Sequence, residues 1–429
     1  MTNRYQNSID FFNSAAKTIP MASQTFSKSY YSMPFGVAPL FLDKGKGAEV
    51  WDIDGNQYID FMNALLAVSV GYQDEEIDNA VIAQLKSGVS FSLPHRLEHE
   101  VAEQIISLIP CAEMVRFGKN GTDATSAAVR LSRAYTGKDH LAVCGYHGWQ
   151  DWYIGSTSRN LGVPDATTEL THPFSYNDIA SLEAIFERHH NKIAAVILEP
   201  VNFFPPKNNF LEEVRALCDK HQAVLVFDET ITGFRFNIGG AQTQFGVTPD
   251  LATFGKGMGN GYPISAITGK KEIMALMEQI FYSGTFAGET LSLAATKATI
   301  NKLQTHNIPE HLHHIGSLLL DNVQKIIADT NMTNTFSLCG YPCWSLLQVT
   351  ANETFSANQI KSLFIQEMLS QGILMAGTHN LSYAHKEKHI KVLANAYHHS
   401  LSVIQQAQQE DNFEKYFKGE LIKDVFKVR

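Results

Sequence analysis

Residues 223–229, AVLVFDE, decide the fold class, because an apolar run ends there abruptly in Asp228 and Glu229. A short run of branched and aromatic residues predicts a strand buried on both faces, which is typical of a parallel sheet. Other runs along the chain have the same form, with polar residues at or just after their ends. They are MVRF (114–117), HLAVCGY (140–146), IAAVILEP (193–200) and LATFGK (251–256).

Helical patterns separate these strands, for example EHEVAEQIISLI (98–109) and LEEVRALCDKH (211–221). The alternation predicts an α/β fold with a mostly parallel sheet between helices. AEVWDIDGNQYIDFMN (48–63) predicts a hairpin turning at Asp54-Gly55. We expect an N-terminal segment (1–75), a large domain (76–320) and a C-terminal small domain (321–429), with both ends of the chain forming the small α+β domain.

Composition excludes several classes of protein. The net charge of -9 and the pI near 6.0 argue against nucleic-acid partners. No apolar run approaches the ~20 residues of a membrane helix. The first residues lack the pattern of a signal peptide, so a cytoplasmic protein is expected. Cys339 and Cys343 are interpreted as reduced rather than redox-active or metal-binding. The histidine clusters, such as His189-His190, are interpreted as solvated, so no metal site is predicted.

The polar residues that follow the strands are the candidate site. In a parallel sheet, ligands bind beyond the carboxyl ends of the strands, where Tyr146, Glu199, Asp228 and Lys256 should meet. A buried carboxylate such as Asp228 needs a partner, and a pyridinium nitrogen is one. A lysine in a dry pocket has a lowered pKa and attacks carbonyl groups. The alternatives are a surface loop lysine and a tyrosine that only packs in the core.

The loop GKNGTD (118–123) opens a helix after the first of these strands. Backbone amides at a helix start, with the hydroxyl of Thr122, form a site for a small phosphate. The alternative is that Thr122 and Asp123 only cap the helix. A phosphate site, an acid for a ring nitrogen, an aromatic side chain and a lysine together indicate pyridoxal phosphate (PLP).

At this point the chain resembles the class III aminotransferases of PLP fold type I, in their glutamate-1-semialdehyde aminomutase-like branch. The motifs that carry the resemblance run through nearly the whole chain. They are WDIDGNQYIDF, VRFGKNGTDATSAAVRLSRAYTG, GYHGW, ILEPV, LVFDETITGFRF, PDLATFGKGMGNGYPISAITG and SGTFAGETLSLAA.

The resemblance implies roles for individual residues. Lys256 would hold PLP covalently and move a proton, Asp228 would pair with the pyridine nitrogen, and Tyr146 would stack on the ring. Thr285 would reach the phosphate of a second subunit, which implies a homodimer with shared sites. The remaining cofactor contacts would come from Asn120, Gly121, Thr122, Glu199, Asn202 and Thr230.

The substrate residues depart from the branch. By the resemblance, Lys28 takes the place of a carboxylate-binding arginine, which puts glutamate-1-semialdehyde in doubt. Lys28 and Asn380 are the predicted substrate-binding residues. We expect an aminotransferase that moves an amino group from a donor such as glutamate to an aldehyde or ketone, for which HNLSYAH (379–385) suggests a sugar-derived compound. The alternatives are a 2,1-aminomutase, a racemase or epimerase, and a non-catalytic protein of the same fold.

Overall fold

The structure is a computed structural model that describes residues 3–423, and its contacts divide the chain into two units. The central unit comprises Ala67–Ser69 and Glu75–Glu310, and the terminal unit comprises residues 3–66, Val70–Asp74 and residues 311–423. The sequence prediction put these boundaries after residues 75 and 320. Residues 1–2 and 424–429 of the predicted end domains lie outside the described part.

The strands of the described residues include the apolar runs of the sequence. In chain order they are β1 (Leu42–Lys46), β2 (Glu49–Asp52), β3 (Gln57–Asp60), β4 (Met114–Gly118), β5 (His140–Cys144), β6 (Thr171–Pro173), β7 (Ile193–Leu198), β8 (Val224–Asp228), β9 (Leu251–Phe254), β10 (Ser265–Gly269), β11 (Phe336–Tyr341), β12 (Trp344–Val349), β13 (Ile373–Leu374) and β14 (Thr378–Asn380).

The helices occupy the amphipathic stretches between them. They are α1 (Gln6–Ala15), α2 (Asn63–Leu66), α3 (Glu75–Leu85), α4 (Arg96–Ile106), α5 (Gly121–Thr136), α6 (Asp151–Ile154), α7 (Asp165–Thr168), α8 (Ile179–Arg188), α9 (Phe210–His221), α10 (Gly240–Phe245), α11 (Lys271–Met274), α12 (Thr290–Thr305), α13 (Ile308–Asp329), α14 (Ala357–Ser370), α15 (Glu387–Gln409) and α16 (Phe413–Tyr416). Among the described residues, every helix is too short or too polar to cross a bilayer.

The central unit is built on a sheet of seven strands in the order β4-β10-β9-β8-β7-β5-β6. All of them run parallel except β10, which is antiparallel to both of its neighbours. Val224 and Val226 pack on the α5 side, and Leu225 and Phe227 pack on the side of α8 and α9. Helices therefore cover both faces, and the predicted α/β class is confirmed.

Sequence reasoning missed β10 and β6. β10 is rich in small and hydroxylated residues and follows a glycine-rich loop, so its pattern is weak, although all of its residues are buried. β6 is only three residues long and lies at the sheet edge.

The terminal unit joins the two ends of the chain. The predicted hairpin is the antiparallel pair of β2 and β3, and β13 from the C-terminal part pairs in parallel with β3. β11, β12 and β14 form a separate antiparallel sheet. The four residues of α2 all have positive φ, from 43° at Asn63 to 71° at Leu66, so α2 is a left-handed turn. Such a turn of residues other than glycine is strained.

Candidate active site

The site of the central unit lies at one edge of its sheet. β4, β5, β7, β8 and β9 all point the same way, so their carboxyl ends meet at this edge. The sequence delivers the start of α5, Tyr146, Glu199, Asp228 and Lys256 to it.

Asp228 is the last residue of β8, and it is only 5% exposed. Its Oδ1 accepts hydrogen bonds from the hydroxyl groups of Thr230 (2.6 Å) and Thr253 (3.1 Å) and from the backbone N–H of Thr230 (3.1 Å). Burial raises the pKa of this carboxyl, but the hydrogen bond and charge of His147 and the bonds from Thr230 outweigh it and hold the pKa below its usual value. Asp228 is therefore ionised.

His147 is the partner on the other carboxylate oxygen of Asp228. Its Nδ1 lies 2.9 Å from Asp228 Oδ2, and its Nε2 lies 3.1 Å from the carbonyl oxygen of Cys144. Both oxygens are acceptors, so only the doubly protonated ring donates to both. The His147 side chain has zero exposure and that of Asp228 is 5% exposed, so this contact lies out of reach of bulk water.

Lys256 follows β9 and begins a 3₁₀ turn, Lys256–Gly259. The lysine itself has a φ of 42°, whereas the preceding Gly255 is extended at −177°. Backbone strain at a residue other than glycine clusters at functional sites. Burial lowers the pKa of the Lys256 amine, and the negative charges of Glu199 and Asp228 act in the opposite direction without cancelling it.

Glu199 follows β7, and its Oε2 accepts a hydrogen bond of 3.0 Å from the backbone N–H of Tyr146. Burial raises the pKa of the Glu199 carboxyl, and the charge of His147 opposes this. Gly145 has a φ of +101°, and a Cβ there would lie 2.4 Å from Glu199 Oε2. The glycine is therefore required for Glu199 to lie under the Tyr146 loop.

The N-terminus of α5 is prepared for an anion. Asp123 Oδ2 accepts the backbone N–H groups of Lys119 (3.0 Å) and Asn120 (2.8 Å), and Asn120 is the N-cap. The first-turn amides of Gly121 and Thr122 follow. Thr122 Oγ1 is buried and has no hydrogen-bond partner in the protein. A buried hydroxyl without a partner, at the positive end of a 16-residue helix, fits a phosphate group.

Thr230 links this helix to the carboxylate. Its hydroxyl bonds Asp228, and its Cγ2 lies 3.2 Å from the position that a Cβ on Gly121 would take. The same methyl group lies 3.4 Å from the corresponding position on Gly255. Thr230 thus packs beside the α5 N-terminus and the lysine loop, and it holds Asp228 as well.

Three other predicted cofactor residues have different surroundings. Tyr146 is 47% exposed and meets Tyr153 edge-on at 5.7 Å between ring centroids. Asn202 Oδ1 accepts from the backbone N–H of Phe204 at 2.8 Å in a local turn. Thr285 lies in an exposed segment that lines a surface cavity of about 360 Å³ together with Lys119 and Asp123.

The two predicted substrate residues belong to the terminal unit. Lys28 lines a cavity of about 310 Å³ there, with Asp60, Tyr72 and several apolar side chains including Leu65. Asn380 is 3% exposed, and its Nδ2 donates to the carbonyl oxygen of Met62 at 2.8 Å.

The histidines near Asn380 are also buried. His379 bonds Ser345 Oγ at 2.9 Å and the Tyr397 hydroxyl at 2.7 Å. His385 bonds Ser382 through Nδ1, and both imidazoles have zero exposure. Both side chains therefore lie inside the terminal unit, away from solvent.

Sequence reasoning missed His147 and Thr253 as partners of Asp228. The motif GYHGW contains the histidine, but its ring reaches a carboxylate 81 residues further along the chain. Thr253 lies inside an apolar run where a hydroxyl gives no periodic signal.

One cofactor fits three features of this site. They are the helix start that can bind a phosphate, the buried and ionised aspartate, and the lysine whose pKa is lowered. The fold and the site thus define a PLP-dependent enzyme of the transaminase type.

Known proteins similar to this chain agree with that class. The family described as aminotransferase class-III matches residues 30–390. The 3-aminobutyryl-CoA aminotransferase of Cloacimonas acidaminovorans (strain Evry) is 35% identical over 407 residues, covering 92% of this chain and 97% of the relative. The glutamate-1-semialdehyde 2,1-aminomutase of Syntrophobacter fumaroxidans is 35% identical over 384 residues, covering 82% and 88%.

A solved structure gives the same result at the level of the fold. The omega-transaminase from Sphaerobacter thermophilus is 25% identical, with a TM-score of 0.84 over 92% of this chain and 97% of that chain. The chain belongs to the class III aminotransferase family, and it is a PLP-dependent transaminase.

Proposed function

We propose that this protein transfers an amino group from a donor such as glutamate to a small aldehyde or ketone in two alternating half-reactions. The observation that carries the proposal is the meeting of Lys256, Glu199 and Asp228 beside the N-terminus of α5. When bound, PLP supplies an aromatic ring that accepts electrons from the donor's carbon.

Lys256 is the proposed covalent anchor and the base that moves a proton. Because burial lowers the pKa of its amine, a neutral lysine would be available to accept a proton from the donor's α-carbon and to donate a proton again within the site. The negative charge of an ionised Glu199 would raise the pKa of the Lys256 amine and so oppose the effect of burial.

Asp228 is the proposed partner of the ring nitrogen. An ionised carboxylate favours a protonated pyridine, and the ring of His147 with the hydroxyls of Thr230 and Thr253 fixes the carboxylate in place. Tyr146 is proposed to cover one face of the ring, and Thr230 the other. Asn202 is the proposed donor to the ring oxygen.

The phosphate is proposed to bind at the start of α5. The amides of Gly121 and Thr122 and the hydroxyl of Thr122 would receive it, and Asn120 caps the helix beside it. The helix dipole favours the phosphate charge there. Thr285 is proposed to contribute from a second copy of the chain, which makes the enzyme a homodimer.

The acceptor is proposed to be a carbonyl compound with an anionic group. Lys28 is a cation in a cavity that is otherwise mainly apolar, and it binds such a group as a point charge. Asn380 is proposed to act on the acceptor indirectly, because its hydrogen bond holds the backbone of Met62. A sugar-derived acceptor receives less support, since His379 and His385 are buried.

The donor half-reaction tests the proposal. PLP-loaded protein is mixed with glutamate and no acceptor, and the released oxo acid is measured together with the visible absorbance of the cofactor. We expect one oxo acid for each bound cofactor. Lys256→Ala should slow the release by at least about 10²–10⁴-fold, whereas Lys271→Ala, which changes an exposed lysine of the same unit, should not.

Each alternative activity would give a product other than an oxo acid. A racemase or epimerase would invert the donor without releasing an oxo acid. A 2,1-aminomutase would convert glutamate-1-semialdehyde without any separate acceptor. Either result, with no oxo acid from glutamate or other amino donors, would contradict the proposed transamination.

A further inference from the structure

Three histidines outside the candidate active site meet at the other end of the central sheet. His140 begins β5, His172 lies in the edge strand β6, and His189 is the C-cap of α8. All three side chains are partly buried. They are well separated along the sequence, and the pairing of β5 with β6 and the position of the α8 C-terminus bring them together.

The geometry of the cluster is close to that of a metal site. His140 Nδ1 lies 2.8 Å from His172 Nε2, and one ring nitrogen from each of the three residues lies within 4.8 Å of the others. In a tetrahedral zinc site the nitrogen ligands are about 3.3 Å apart, since each lies about 2.0–2.1 Å from the ion. Side-chain rotations that move the ring nitrogens by about 1 Å would therefore bring all three to ligand distances from one ion.

The rings now form a stack rather than a coordination sphere. The centroids of His172 and His189 are 3.9 Å apart, and those of His140 and His189 are 4.8 Å apart. Burial lowers the pKa of all three imidazoles, and it brings the pKa of His172 to about 4. The rings are consequently neutral near pH 7, and neutral imidazole is the form that ligates metals.

The surrounding charges have both signs. Asp139 attracts a cation, whereas Arg133, Arg188 and Lys192 repel one. The acidic net charge of the whole chain, -9, adds a weak long-range attraction.

We propose that His140, His172 and His189 form a binding site for a borderline divalent transition-metal ion such as Zn²⁺ or Co²⁺. Three imidazole ligands leave a fourth position for water, and imidazole nitrogen selects these ions over Mg²⁺ or Ca²⁺. The ring that donates the hydrogen bond between His140 and His172 would carry its proton on its other nitrogen when the ion binds, so that both rings stay neutral and each offers a lone pair to the ion.

The site is separate from the catalytic residues. β5 carries His140 at its start, and Tyr146 and His147 lie beyond its other end; the strand itself spans about 13 Å. A bound ion would connect the edge strand β6 to β5 and to α8. We therefore expect it to stabilise this edge of the sheet and to leave transamination unchanged.

A titration of the PLP-loaded full-length protein with Co²⁺ tests the site, because the visible spectrum of Co²⁺ distinguishes tetrahedral from six-coordinate ligation. We expect one tetrahedral Co²⁺ for each chain, displaced by Zn²⁺, and a higher melting temperature with the ion bound. His172→Ala should weaken binding at least tenfold. His190→Ala changes the exposed histidine next to the cluster and should leave binding unaltered.

His189→Gln serves as a second variant, because it lies at a helix end and preserves the strands if His172→Ala fails to fold. Far-UV circular dichroism checks both variants. Unaltered Co²⁺ binding in His172→Ala or His189→Gln would overturn the proposal. So would an equal loss in His190→Ala, or the absence of tetrahedral Co²⁺ in the wild-type protein, which would make the cluster a hydrogen-bonded stack only.

Discussion

At the scale of single residues, the candidate active site depends on charges that are paired within the protein. Asp228 is buried, yet it remains ionised because His147, Thr230 and Thr253 all donate to it. Lys256 is partly buried, and the charges of its neighbours only partly compensate for burial, so the pKa of its amine stays below its usual value. The charged form of Asp228 and the neutral form of Lys256 are thus both favoured, and shifted pKa values of this kind are typical of an acid–base site.

Asp228→Asn should lower the free energy of unfolding at pH 7 by about 1.5–3 kcal/mol, because hydrogen bonds to a charged group and the charge partner of His147 are lost. The folded-state pKa of Asp228 lies below its unfolded value of 3.8, so its contribution is present above that pH and disappears as the pH falls through the folded-state pKa. Urea unfolding of the wild type and of Asp228→Asn, at pH 7 and at a pH below 3.8, measures the difference in the free energy of unfolding.

The matched control for this change is Asp219→Asn, which removes an exposed carboxylate that pairs with Arg215. It should cost less than about 1 kcal/mol. An Asp228→Asn protein as stable at pH 7 as the wild type would show that the buried pair contributes nothing.

Glu199→Gln should move the attachment of PLP to Lys256 to lower pH. The negative charge of Glu199 raises the pKa of the lysine amine, so its removal lowers that pKa further, and more neutral amine is present at a given pH. The rate at which apoprotein acquires visible absorbance with PLP, measured against pH, reports the shift. Glu183→Gln changes an exposed residue of α8 and is the control. If the pH profile of PLP attachment moves to higher pH in Glu199→Gln, the assigned effect of Glu199 on Lys256 is wrong.

At the scale of secondary-structure elements, α5 is the feature that turns a sheet edge into a binding site. Its first turn points free amides and the unpartnered hydroxyl of Thr122 at the place where β8 and β9 end. Asp123 fixes the preceding loop by accepting two amides, so the anion site is ordered before any ligand binds.

Thr122→Val should weaken PLP binding about 10- to 100-fold, because a hydrogen bond to a charged group is lost. The unloaded protein should be at least as stable as the wild type, since this hydroxyl has no partner in the protein. Thr122→Ser retains the hydroxyl and should restore affinity. Equilibrium dialysis of PLP and thermal unfolding of apoprotein separate the two effects; loss of stability without loss of affinity would assign Thr122 a structural role.

At the scale of the whole molecule, three large apolar side chains of the central unit are exposed around Thr285. Leu93 is 79% exposed, Phe281 84% and Phe286 61%, and these residues line adjoining cavities around Thr285. Exposed patches of this kind mark protein–protein contacts. A second copy of the chain is the occupant expected from the proposed role of Thr285.

Phe281→Asp should convert a dimer into monomers, because it would bury an unpaired charge in the apolar contact. Sedimentation velocity measures the change, and activity should fall with it. Val392→Asp alters a residue of α15 that is 42% exposed in the terminal unit, and it should remain dimeric. A wild-type protein that sediments as a monomer would exclude the shared sites.

The strands and helices of the central unit could be predicted because their patterns are local. AVLVFDE and IAAVILEP are buried on both faces, so nearly every residue in them is apolar and the signal is strong. β10 could not be predicted, because its neighbours in the sheet supply the burial that its own composition does not indicate. PLP was predictable from residue types at strand ends, and the resemblance to a family added the residue roles.

The sequence alone predicted the α/β class and the cofactor, which are confirmed, and it also predicted the edge of the sheet that carries the site and the roles of Lys256 and Asp228, which stay predictions. These follow from periodicity and from which residues end the strands. Only the tertiary structure decided that His147 pairs with Asp228, that the lysine adopts a left-handed backbone, and that His140, His172 and His189 meet. Such features join residues distant in sequence, and their geometry depends on packing that no local pattern encodes.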